Sequence, residues 1–173
     1  MAIIKLNNQS ISAVSALPSA IATGKVLQAV QAETDTAFST TSTSFVDVTG
    51  LVKSITPSST SNKILVLIHF RYGADGSNSN RVQLRRGATS ISLGSSTNNL
   101  SNVYTAHGGV SQGFGDYSLS YIDSPSTTSS TEYAIQVSNS QDSSGLFTRV
   151  NVRNDNNSTT QIKGSITLME IKG

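Results

Sequence analysis

The run Lys63-Ile-Leu-Val-Leu-Ile-His-Phe-Arg-Tyr72 is the only stretch of this chain that is apolar on both faces, and it limits what the rest can fold into. Side chains of an extended segment alternate with a period of two, so Ile64, Val66, Ile68 and Phe70 share one face and Leu65 and Leu67 the other. A helix here is disfavoured. The run is short, β-branched and aromatic residues dominate it, and it follows the turn-forming cluster Thr56-Pro57-Ser58-Ser59-Thr60-Ser61-Asn62. Read as a strand, it is central and has to be covered twice.

The flanking sequence supplies further strands. Val26, Gln28 and Val30 alternate with Leu27, Ala29 and Gln31, which predicts a first strand over residues 25–31, followed by a polar segment over 34–44. Phe45 to Val48 resumes extension, Thr49-Gly50 reads as a turn, and Leu51 to Thr56 as another strand. Gly73 to Asn78 closes the central strand. Val82 and Leu84 are expected to point inward with Arg81, Gln83 and Arg85 outward, and a short strand over residues 90–93 follows Gly87. After a Ser/Asn/Gly-rich excursion over 94–115, inward positions are Tyr117, Leu119 and Tyr121, then Tyr133, Ile135 and Val137, then Thr148, Val150 and Val152, and finally Ile166 and Leu168. Eight to ten short strands with turns between them, no helix after Gly24 and no internal repeat predict an all-β protein. The favoured architecture is a jelly-roll-like β-sandwich.

A chain of 173 residues is long enough for one domain with its own core. With no cysteine, disulfides, thiolate metal sites and cysteine nucleophiles are excluded. The pI of 9.0 arises from a net charge of only +2 on a chain that is 13% charged, so the basicity lacks the clustering a nucleic-acid surface needs. Ser and Thr supply 50 of the residues, which suits exposed sheets and loops. No segment approaches the roughly 18 apolar residues of a membrane span, and the N-terminus lacks the apolar core of a secretory signal.

Residues 1–24 differ from the remainder and read as an arm ahead of a head domain over 25–173. Ile3, Ile4, Leu6, Ile11, Val14, Leu17 and Ile21 are set among small residues with Lys5 as the single charge, and Pro18 would break a helix running through it. An arm this apolar and short has no core of its own, so it is expected to dock, on a neighbouring protein or on its own domain.

Chemistry-bearing residues are few. His69 lies on the face of Leu65 and Leu67, where a packed, hydrogen-bonded or subunit-facing role is favoured over metal ligation. His107 lies in the Gly-rich excursion near Tyr104, Ser111 and Asp116, without a nucleophile elbow or metal box. The Gly108 to Gly115 stretch lacks the Lys-Ser/Thr end of a phosphate loop. Catalytic, cofactor and metal residues are therefore none, although the Asp75-Gly76-Ser77-Asn78 and Asp155-Asn156-Asn157 turns carry oxygens of the kind calcium uses. Arg71, Arg81, Arg85 and Arg86 are the one concentration of positive charge. They are candidates to contact an acidic polysaccharide or capsid surface, or to guard a strand edge.

Four blocks carry a resemblance: Gly24-Lys-Val-Leu-Gln28, Phe45-Val-Asp-Val-Thr-Gly-Leu51, Ser54 through Val66, and Gly164-Ser-Ile-Thr-Leu-Met-Glu-Ile171. In order and spacing they are similar to small virion structural and tail-fibre-like proteins of tailed bacteriophages, notably marine and cyanobacterial phages. That resemblance implies a non-enzymatic component of the virion, assembled in the host cytoplasm, with a trimeric head like the tumour-necrosis-factor jelly rolls. Expected partners are two further copies, other tail or capsid proteins and a host surface polysaccharide, with no nucleic acid and no membrane. A receptor-binding fibre component and a capsid decoration protein both fit, and a carbohydrate-binding module stands outside that class.

Overall fold

The computed structural model describes residues 26–75, 79–91, 101–104, 112–139, 148–151 and 162–173, and these form two antiparallel β-sheets without a helix. Eleven strands follow in order: β1 (Val26–Thr34), β2 (Phe38–Thr40), β3 (Val46–Ile55), β4 (Lys63–Asp75), β5 (Ser79–Arg86), β6 (Thr89–Ser90), β7 (Ser101–Tyr104), β8 (Gln112–Asp123), β9 (Thr131–Asn139), β10 (Thr148–Val150) and β11 (Gly164–Ile171). The arm over 1–24 lies outside the described residues.

β4 organises the first sheet, as its two-sided apolar pattern requires. β8 runs along one edge of it from Ile64 to Asp75; the other edge is shared by β11, opposite Lys63 to His69, and β10, opposite Tyr72 to Ala74. β1 lies outside β11 and β2 outside β10. The second sheet has the order β3-β9-β5, with β7 and β6 beside successive parts of β5. Between the sheets, Ile64, Val66, Ile68 and Phe70 meet Val48, Leu51, Leu84, Tyr133, Ile135 and Val137 in one core. The Phe70 and Tyr117 rings lie 5.0 Å apart at 35°. Each large side chain sealed in this way contributes roughly 1.5–3 kcal/mol of burial.

Several boundaries differ from the sequence-based expectation. Thr49-Gly50 is not a turn: β3 runs through it, and the register shift between the pair Asp47 and Gln136 and the pair Val52 and Ala134 makes it an extended bulge with three extra residues on β3. The bulge lets Val48 and Leu51, three residues apart, both point inward, and Gly50 at φ +85 supplies the left-handed backbone it needs. β4 continues past Tyr72 to Asp75 because Gly73 and Ala74 are held between β10 and β8. The polar segment over 34–44 contains β2, and the 94–115 excursion contains β7 and the start of β8. Polar composition conceals these strands, whose backbone pairing with β10, β5 and β4 is long-range and leaves no local pattern.

The strand directions give the sandwich two unlike ends. At one lie Val26, the β3–β4 turn, Gly87, the β8–β9 turn and the C-terminal Lys172 and Gly173. At the other lie the strand ends Asp75, Ser79, Tyr104, Gln112, Asn139 and Thr148. Beside β4, Asn151 donates to the Arg71 carbonyl and Ile162 donates to the Asn151 carbonyl.

Candidate interaction surfaces

The outer faces of the two sheets differ in character. On the first, strand register aligns side chains in rows across four strands. Ala29, Met169, Leu65 and Ile122 stand directly opposite one another from β1 to β8 and make an apolar belt near the terminal end. Ile171 and Leu27 extend it at the β1 corner, where a bulge interrupts the β1 register. One row further lie Gln31, Thr167, Leu67 and Ser120, and beyond them Glu33, Ser165, His69 and Ser118. The face thus grades from apolar to polar along the strands. Val26, Leu27 and Ile122, exposed at 52%, 47% and 60%, mark the two ends of the belt.

His69 shares the outer face with Leu65 and Leu67, as the alternation predicts, and is exposed. It lines a shallow depression of about 320 Å³ with Leu67, Ser118, Ser120, Ser165 and Thr167. Asp116 is exposed on β8 opposite Arg71. His107, Ser111, Val152, the 155–157 turn and residues 76–78 lie outside the described residues. Among the described residues no three acidic, histidine or cysteine side chains group as a metal site.

On the second sheet the outer face is a hydrogen-bonded lattice. Arg85 donates from Nε to Asp47 Oδ1 at 2.8 Å and pairs with Glu132 at 2.9 Å, while Gln136 donates to Asp47 at 2.9 Å and Gln83 donates to Gln136. The Arg85 guanidinium holds the Asp47 carboxyl below its usual range. Arg81 donates to the carbonyls of Thr43 and Asn139 and stands 5.8 Å from the Phe45 ring centroid. Of the four arginines singled out from the sequence, Arg81 and Arg85 share this face. Arg86 turns inward and Arg71 belongs to the other sheet, so the four do not form one patch.

Two buried carboxylates escaped the sequence reading. Asp123, 6% exposed, accepts from Arg86 Nη1 at 2.8 Å on both oxygens and from the Tyr133 hydroxyl at 2.6 Å, which links the end of β8 to the second sheet. Burial, then the Asp123 contact, pushes the Tyr133 phenol up. Glu170, 1% exposed, accepts from Asn62 Nδ2 at 2.6 Å, from the Ser58 amide and hydroxyl at 2.6 and 2.7 Å, and from Gln28 Nε2 at 2.7 Å. Burial raises its pKa, but those donors together hold it down to about 2. The signal was present: Glu170 falls on the inward parity of Ile166 and Leu168, and Asp123 on that of Tyr117, Leu119 and Tyr121.

No protein-family model matches this sequence, and no curated protein sequence matches it.

Proposed function

We propose that this chain is a non-enzymatic structural component of a tailed-phage virion, a trimeric fibre-type or receptor-binding head held to the particle by its N-terminal arm. The observation that carries the reading is the polarity of the sandwich. The backbone enters β1 at the same end as the C-terminal residues, and the strand ends Asp75, Ser79, Tyr104, Gln112, Asn139 and Thr148 stand at the opposite end. A head attached at the first end presents the second to a host surface.

Three features support it. The long strands β3, β4, β5, β8, β9 and β11 alternate between the two sheets, an order compatible with the jelly-roll reading. β8 has β4 as its one strand partner among the described residues, and its Tyr117-Ser-Leu-Ser-Tyr-Ile122 segment carries neither charge nor proline to guard the edge. An edge of this kind is one on which another copy can pair. Both buried carboxylates are saturated by internal donors, so they brace the sandwich and are not poised for acid–base work.

Native mass measurement of the purified chain and labelling of its position on intact particles test the reading. Three copies per assembly and a site on the tail are expected. A stable monomer at micromolar concentration rules out an obligate trimer, and a site on the capsid lattice favours decoration over attachment.

A further inference from the structure

We propose that residues 14–25 of this chain lie across the apolar belt on the outer face of its own first sheet, leaving residues 1–13 as the part that reaches a partner. Three observations lead there. All three large apolar side chains exposed among the described residues, Val26, Leu27 and Ile122, mark the ends of this one belt. The backbone leaves the described domain at Val26, at the belt's β1 corner, beside Ile171. The twelve preceding residues carry Val14, Leu17 and Ile21 with Lys25 as their single charge, which is the composition an apolar strip would accept as cover.

The dimensions agree. Four strands place β1 and β8 roughly 14 Å apart at about 4.8 Å per step, so about five extended residues at ~3.3 Å each, with Ile21 among them, cross the belt, and the rest of the segment is long enough to continue past β8. On the proposed course the reversal over the face falls at Gly24, and a glycine tolerates it. The segment would lie on side chains rather than join a strand edge, so Pro18, which lacks an N–H, removes no ladder bond. The polar rows around His69 remain uncovered. The proposal does not depend on the virion reading, since it concerns only how one chain shields its own sheet.

The chain has no cysteine, so introduced pairs report without background. In the full chain, Ile21→Cys, which this course sets between β11 and β8, is combined in turn with Met169→Cys, Ile122→Cys and, on the outer face of the second sheet, Ser54→Cys. Oxidation is expected to give an intrachain disulfide with Met169→Cys or Ile122→Cys and none with Ser54→Cys. Separately, limited trypsin digestion between Lys25 and Val26 is expected to be severalfold faster in Ile122→Glu than in the parent chain, with the sandwich still folded by circular dichroism. Crosslinks that form only between chains would overturn the proposal in favour of a second copy on the belt. Equal crosslinking to Ser54→Cys, or a cleavage rate unmoved by Ile122→Glu, would overturn it outright. Solution mass is measured in parallel, so a failed trimer and a failed arm contact are told apart.

Discussion

Glu170 on β11 and Asn62 in the turn before β4 are joined by a 2.6 Å hydrogen bond inside the protein, although 108 positions separate them. Asn62 also accepts from the Gly173 amide at 3.1 Å, and Gln28, which donates to Glu170, donates to the Thr56 carbonyl at 2.7 Å. One carboxylate thus ties β1, the β3–β4 turn and the C-terminal residues together at the terminal end.

Glu170→Ala is expected to destabilise the fold by about 3 kcal/mol, because it strands several buried donors at once. The carboxyl's folded pKa of about 2 lies below its ordinary 4.5. Its contribution is therefore fully present above pH 4.5 and lost as the pH falls through 2. Urea unfolding of the parent chain should show a midpoint falling across that window, and the variant a shallower fall.

Tyr133→Phe is expected to cost about 1–2 kcal/mol by removing one donor to buried Asp123. Asp123→Ala should cost more, since it deprives both Tyr133 and Arg86 of their acceptor. Thermal unfolding of the two single variants and the double variant measures their coupling, and simple additivity would contradict a shared network.

Two glycines at positive φ separate space from backbone strain. A Cβ at Gly50 would stand 2.5 Å from Thr34 Cβ, whereas at Gly87 nothing lies within 4 Å. Gly87→Ala is expected to cost about 1 kcal/mol of left-handed strain alone. Gly50→Ala should cost clearly more, because β1 has to move away from the β3 bulge. Equal urea midpoints for the two would refute this account.

Arg85→Ala should lower stability by about 1 kcal/mol, with the loss shrinking in high salt, because its partners Asp47 and Glu132 are partly solvated. Arg86→Ala should lose more, because Asp123 is buried. Denaturant titrations at two ionic strengths check both.

Alternation of side chains is a local property of extended backbone, so the sequence by itself determined which residues face inward. Ile64, Val66, Ile68 and Phe70, Val82 and Leu84, and Tyr133, Ile135 and Val137 are all buried as their parity requires, and His69 stands outward with Leu67. Only the tertiary structure decided what each residue meets. Whether Gly50 turns the chain or bulges it depends on β9 alongside, and β7 exists because β5 pairs with it. Glu170 is tolerable in the interior because Gln28, Ser58 and Asn62 converge on it from distant positions. Ala29, Leu65, Ile122 and Met169 look unremarkable along the chain and become a belt only through register. A one-residue slip would move each to the opposite face, and that register is set by long-range backbone pairing no local pattern encodes.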